Sequence, residues 1–136
     1  MAGVIDVSDR GALQGGGGVT ASRILKLIVA QAVADSSSAV AIFRSREAVD
    51  LRYEAGGAWH EMIPPSPMLT DAVLRLLREK ADIPVEANWG VGKVHVQTEN
   101  GLLVFRVDVC SDSQDHSLTL LARESGAPPG RLAVTL

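Results

Sequence analysis

The side chains equipped for chemistry are few. Cys110, Asp115 and His116 lie close together in the sequence and offer a thiol nucleophile with a base beside it. A nucleophile needs that base within hydrogen-bond reach, and here both fall on or beside one connection between strands, so Cys110 is expected as a small hydrophobe packed at a strand end. His60, Glu61, His95 and His116 are metal-ligand types, but the three histidines belong to three different elements and none has a tight spacing such as H-E-x-x-H. The glycine run Gly15–Gly18 lacks the lysine and Ser/Thr that a phosphate-cradling P-loop places behind its last glycine. Arg52 and Arg106 fall on predicted polar strand faces, where the plain outcome is a solvated side chain or a cross-strand pair with Asp50, Glu54 or Asp108. The reading is a non-enzyme with no metal and no cofactor.

The elements that hold these side chains follow from hydrophobic spacing. Ile24, Leu27, Ile28 and Ala32 mark one helical stripe, which Leu25 and Val29 widen, with Thr20 as its N-cap. Ser36-Ser37-Ser38 ends that helix, and Ala39 to Phe43 is an apolar run of strand length. In Ala48 to Ile63, Val49, Leu51 and Tyr53 alternate with Asp50, Arg52 and Glu54, and Gly56-Gly57 supplies a tight turn, which predicts a hairpin that Pro64-Pro65 stops. Ser66 caps a second helix with Pro67 at its first position and Leu69, Ala72, Val73, Leu76 and Leu77 at helical spacing. Three more strands are predicted: Lys93 to Thr98, Leu102 to Val109 across an Asn100-Gly101 turn, and Ser117 to Arg123.

The order helix, three strands, helix, three strands predicts an α+β fold: an antiparallel sheet of about six strands with two helices packed on one face, PAS-like in arrangement. Residues 1–19 are expected as a flexible Gly-rich arm, 20–124 as the domain, and 125–136 as a tail that begins as a linker and ends in a short apolar run. Arg52 and Arg106 should lie on neighbouring strands with their side chains on the polar face of the sheet. Trp59 and Trp89 are expected as half-buried core or edge aromatics, either of which can anchor a protein interface.

Bulk properties narrow the partners. The chain has 136 residues, 46% of them hydrophobic and 21% charged, which suits one globular domain. A net charge of −3 with 13 scattered basic residues provides no Lys/Arg-rich face for nucleic acid. A single cysteine cannot form an internal disulfide, no signal-type start is present, and the apolar stretch Ile24 to Ala34 is broken by Lys26 and Gln31 and too short for a bilayer. A cytoplasmic protein without membrane insertion is expected.

With the elements in order, the texts ILKLIVAQAVADSSSAVAI, LRYEAGGAWHEM, MLTDAVLRLLREKADIPVE, WGVGKV and FRVDV together resemble the second N-terminal domain of the type II secretion and type IV pilus assembly ATPases, from about Ala21 to about Glu124. Arg52 falls on the first arginine of the family's hairpin motif, Gly57 on its turn glycine, and His60-Glu61 on its L-H-E. Ala81-Asp82-Ile83 resembles the end of the second helix, Gly92-Lys93 stands where Gly-Arg is usual, and Arg106 falls on the arginine of R-V-S. The resemblance implies that Arg52 and Arg106 can face phosphates held by a neighbouring catalytic domain.

Much of the family's polar text is replaced. Its S-D-I-H-I-E is Ser38-Ala39-Val40-Ala41-Ile42-Phe43 here, its second hairpin arginine is Glu54, its turn aspartate is Gly56, its later Gly-Glu is Asp115-His116, and Leu121 stands where a late arginine is expected. No G-x-x-x-x-G-K-[ST] is present, so the chain is not expected to hydrolyse ATP alone. An apolar scaffold kept while a polar site is lost implies a non-catalytic interaction or assembly module, docking through a sheet face or edge on a secretion or pilus ATPase or its platform, with homo-oligomers allowed. Glu54 beside the phosphate position argues that the nucleotide contact is extinct. The alternative is a PAS-like small-molecule sensor, for which the predicted inward positions, Val, Leu, Ile and Ala, offer no polar groups.

Overall fold

The structure, a computed structural model, describes residues 3–8, 20–112 and 116–124. The elements run β1 (Val4–Asp6), α1 (Ala21–Ala34), β2 (Ala39–Arg44), β3 (Val49–Ala55), β4 (Ala58–Met62), α2 (Pro67–Lys80), β5 (Trp89–Thr98), β6 (Gly101–Ser111) and β7 (Ser117–Arg123).

Both helices start where their caps dictate. Thr20 Oγ1 accepts the Arg23 N–H at 3.2 Å, and Ser66 Oγ accepts the Leu69 N–H at 3.2 Å with Pro67 in the first turn, so each cap satisfies a donor that has no partner inside the helix. Leu25, Ile28, Val29 and Ala32 of α1 and Val73 and Leu77 of α2 are buried. The hairpin turn also forms as its glycines require, with φ of +63° at Gly56 and +83° at Gly57, the pair of positive angles that fits the right-handed twist of the flanking strands.

The seven strands form one mixed sheet in the order β1-β5-β6-β7-β2-β3-β4. Every pair is antiparallel except β1 with β5. Side chains alternate across it, and one face supplies Ile5, Val40, Ile42, Leu51, Val94, Val96, Phe105, Val107, Val109 and Leu121 to the same buried cluster as the two helices. The α+β class and the two-helix layer agree with expectation. The strand count and the uniformly antiparallel pairing do not.

The seventh strand comes from the segment expected as an arm. Ile5 is buried between exposed Val4 and Asp6, a three-residue pattern too short to register as a period. It is held by long-range bonds: Gly3 N–H donates to Lys80 O at 2.6 Å, His95 N–H to Gly3 O at 2.9 Å, and Val7 N–H to Gln97 O at 2.9 Å. Positions 9–19 and the tail 125–136 lie outside the described residues.

Strand β5 also begins earlier than expected, at Trp89, and its two glycines, Gly90 and Gly92, are packing requirements. A Cβ at Gly92 would meet Ala81 O at 2.1 Å, and one at Gly90 would meet Ile83 Cγ2 at 2.7 Å, so β5 approaches the end of α2 closely only because neither carries a side chain. Among the described residues no helix is long and apolar enough to cross a membrane.

Candidate functional site

With both helices on one face, the other face of the sheet stays bare among the described residues, and strand register arranges its side chains in rows. Phe43 of β2 stands opposite Leu118 of β7, Leu118 opposite Cys110 of β6, and Cys110 opposite Trp89 of β5. One unbroken apolar row therefore crosses four strands. Phe43 and Leu118 are each 43% exposed and Trp89 is 74% exposed. The next row runs Ala41, Leu120, Asp108 and Val91, and Val91 is again exposed. Large apolar side chains grouped on a sheet face cost solvation free energy while uncovered, which makes this face the candidate site.

The lysine and arginine side chains of this face are internally paired. Arg52 Nε lies 3.0 Å from Asp50 Oδ1, and its Nη2 lies 3.3 Å from Glu61 Oε1. Arg106 Nε lies 3.1 Å from Asp108 Oδ1, and Lys93 Nζ lies 3.1 Å from Glu124 Oε1. The hydrogen bond to Asp50, with the charges of Asp50 and Glu61 behind it, holds the Arg52 guanidinium above its ordinary pKa.

Arg52 and Arg106 do share this face, but not on neighbouring strands: β7 and β2 stand between β6 and β3, about 14 Å of sheet at ordinary strand spacing. The reason is topological. Strand β7 returns to the middle of the sheet and pairs with β2, which pushes the two hairpin arms apart. The guanidiniums are too distant to close on one phosphate group, and each already meets its own carboxylate.

The remaining candidates are dispersed. Cys110 is exposed in the apolar row, where a packed small hydrophobe was expected, because its side of β6 faces away from both helices. His116 lies near Phe43, with ring centroids 6.3 Å apart, and 3.8 Å from Asp112; Asp115 is outside the described residues. His60 is on the helix face of β4, against Tyr53 at 5.2 Å between rings, while Glu61 is on the bare face and His95 is on β5. Among the described residues no three His, Cys, Asp or Glu side chains are grouped for a metal ion. Trp59 is half exposed on β4 beside Glu54, and Trp89 is more exposed than the half-buried state expected of it.

A polar cleft at one end of the sheet is lined by Arg44, Arg46, Asp71, Asp112 and His116. Its carboxylates balance its guanidiniums, and Arg44 Nε is held by Asp71 Oδ1 at 2.8 Å, an ion pair that ties β2 to α2. Sequence reading missed Phe43, Leu118 and Val91. For Phe43 and Leu118 the signal was present in AVAIF and LTLLA, which put apolar residues on both faces of the strand. No protein-family model matches the chain, and no curated protein matches it.

Proposed function

We propose that the chain is a non-catalytic protein-interaction module that docks a partner on the bare face of its sheet. The observation that carries this reading is the row Phe43, Leu118, Cys110 and Trp89, apolar, continuous and uncovered among the described residues. A protein surface of matching shape gains hydrophobic free energy by covering that row, and tryptophan with phenylalanine supplies the aromatic anchors that concentrate binding energy. The partner class, a secretion or pilus-type motor ATPase or its platform, comes from the sequence resemblance. Arginines engaged by their own carboxylates support an adaptor role over one in nucleotide chemistry.

A small-molecule sensor fits less well. The space between sheet and helices is filled by Phe105, Leu25 and Leu77, none more than 1% exposed.

Cys110 is the chain's single cysteine and sits inside the row, so the protein carries its own probe. A benzophenone maleimide on Cys110 should photo-cross-link, in a native extract, to a larger ATPase or platform protein, and that partner should shield the thiol from alkylation. Replacing Phe43 and Leu118 by lysine should abolish the cross-link with the melting temperature kept. Equal capture by the lysine variant would reject this face, and a cross-link only to a second copy would make the module homomeric.

A further inference from the structure

The edge of β4, unpaired among the described residues, is a second surface, independent of the bare face. In the hairpin the two-residue turn makes Ala55 and Ala58 the first bonded pair, so ladder bonds recur at Tyr53 with His60 and at Leu51 with Met62. The N–H and C=O groups of Trp59 and Glu61 therefore point away from the sheet. Edge strands are usually blunted by lysine, proline or a bulge, but β4 keeps five residues in unbroken register with none of these.

Chemistry differs on the two sides of this edge. On the helix side a groove of about 430 Å³ runs beside it, lined by Ile24, Leu27, Gln31, Met62, Ile63 and Pro64. Ile63 is 96% exposed and Leu27 is 41% exposed. On the bare side, the corner around Trp59 holds the carboxylates of Asp50, Glu54 and Glu61 against the single guanidinium of Arg52, so it is net negative.

We propose that the β4 edge accepts an extended segment of a partner protein as an antiparallel eighth strand. Apolar side chains opposite His60 and Met62 lie in the groove beside α1, and a lysine or arginine opposite Glu61 meets the negative corner and the Trp59 ring. A second copy of β4 fits poorly. Self-pairing centred on His60 or Trp59 sets only Ala58 or Gly56 opposite Met62 and leaves the groove unfilled, while centring on Glu61 opposes two carboxylates.

The test is a capped peptide, Thr-Val-Lys-Ile-Lys-Val-Thr, titrated into the full chain by calorimetry. Saturable binding is expected. N-methylation of the two lysines, whose amides face β4, should weaken it by about tenfold or more, whereas N-methylation of the valines should not. Glu61→Lys should reverse the preference toward a peptide with glutamates in place of lysines, and Leu27→Asp should weaken both. The Phe43→Lys/Leu118→Lys protein should bind the peptide normally, which separates this edge from the bare face. No saturation by about 1 mM, indifference to N-methylation, or dimerisation through this same edge would each overturn the proposal.

Discussion

A guanidinium is available to a phosphate only when its own neighbours have not engaged it. Arg52 is held by Asp50 and Glu61 and Arg106 by Asp108, all partly exposed to solvent, where such pairs add little to stability. The Arg52→Ala/Arg106→Ala protein should therefore keep its denaturation midpoint nearly unchanged and still capture the proposed partner. Chemical denaturation together with stimulation of the proposed ATPase partner measures both, and a large loss of stimulation in a folded variant would restore a phosphate role. Tyr53, the single tyrosine, donates to Asp35, and that hydrogen bond, reinforced by burial, raises its phenol above the usual value of 10.0. Its phenolate absorbance should thus appear above pH 10, and Asp35→Asn should lower the midpoint. The unfolded phenol ionises first, so the unfolded chain binds fewer protons in that window, and stability contributed by this bond is present below pH 10 and lost as pH rises through the folded value.

At the scale of elements, β5 passes close against the end of α2 at Gly90 and Gly92. Gly92→Ala puts a methyl into the Ala81 carbonyl, a backbone group that cannot swing aside, and should cost roughly 1–3 kcal/mol through overpacking, read as a lower denaturation midpoint at unchanged slope. The loop between these elements is held by Arg78, whose Nη1 donates to Pro84 O at 2.8 Å, Ala87 O at 2.9 Å and Val85 O at 3.2 Å. Burial lowers its pKa, but three carbonyls on one charged fork keep the loop in place. Arg78→Ala should cost roughly 1.5–3 kcal/mol, the range for bonds to a charged group, with amide exchange rising first in residues 84–88. A lysine at this position should restore little, because its ammonium lacks the planar fork.

At the scale of the whole molecule, one layer of helices on a seven-stranded sheet leaves an apolar face and an apolar groove uncovered among the described residues. Binding on that face should be driven by surface burial, with a negative heat-capacity change and an affinity that varies only a few fold between about 0.1 and 1 M salt, since the cations beside the apolar row, Arg106 and Lys93, are already paired. A steep salt dependence in calorimetry would point to the charged rim. The sequence by itself determined the helices, the hairpin and most strands, because caps at Thr20 and Ser66, the Gly56-Gly57 turn and apolar spacing act within a few residues of chain. Only the tertiary structure decided that Val4–Asp6 joins β5 in parallel, that β7 and β2 separate Arg52 from Arg106, and that Phe43, Leu118 and Trp89 lie on the face of the sheet away from both helices. A three-residue strand has no period to read, strand order depends on contacts between distant segments, and a strand apolar on both faces does not reveal which face the helices will cover until they have packed.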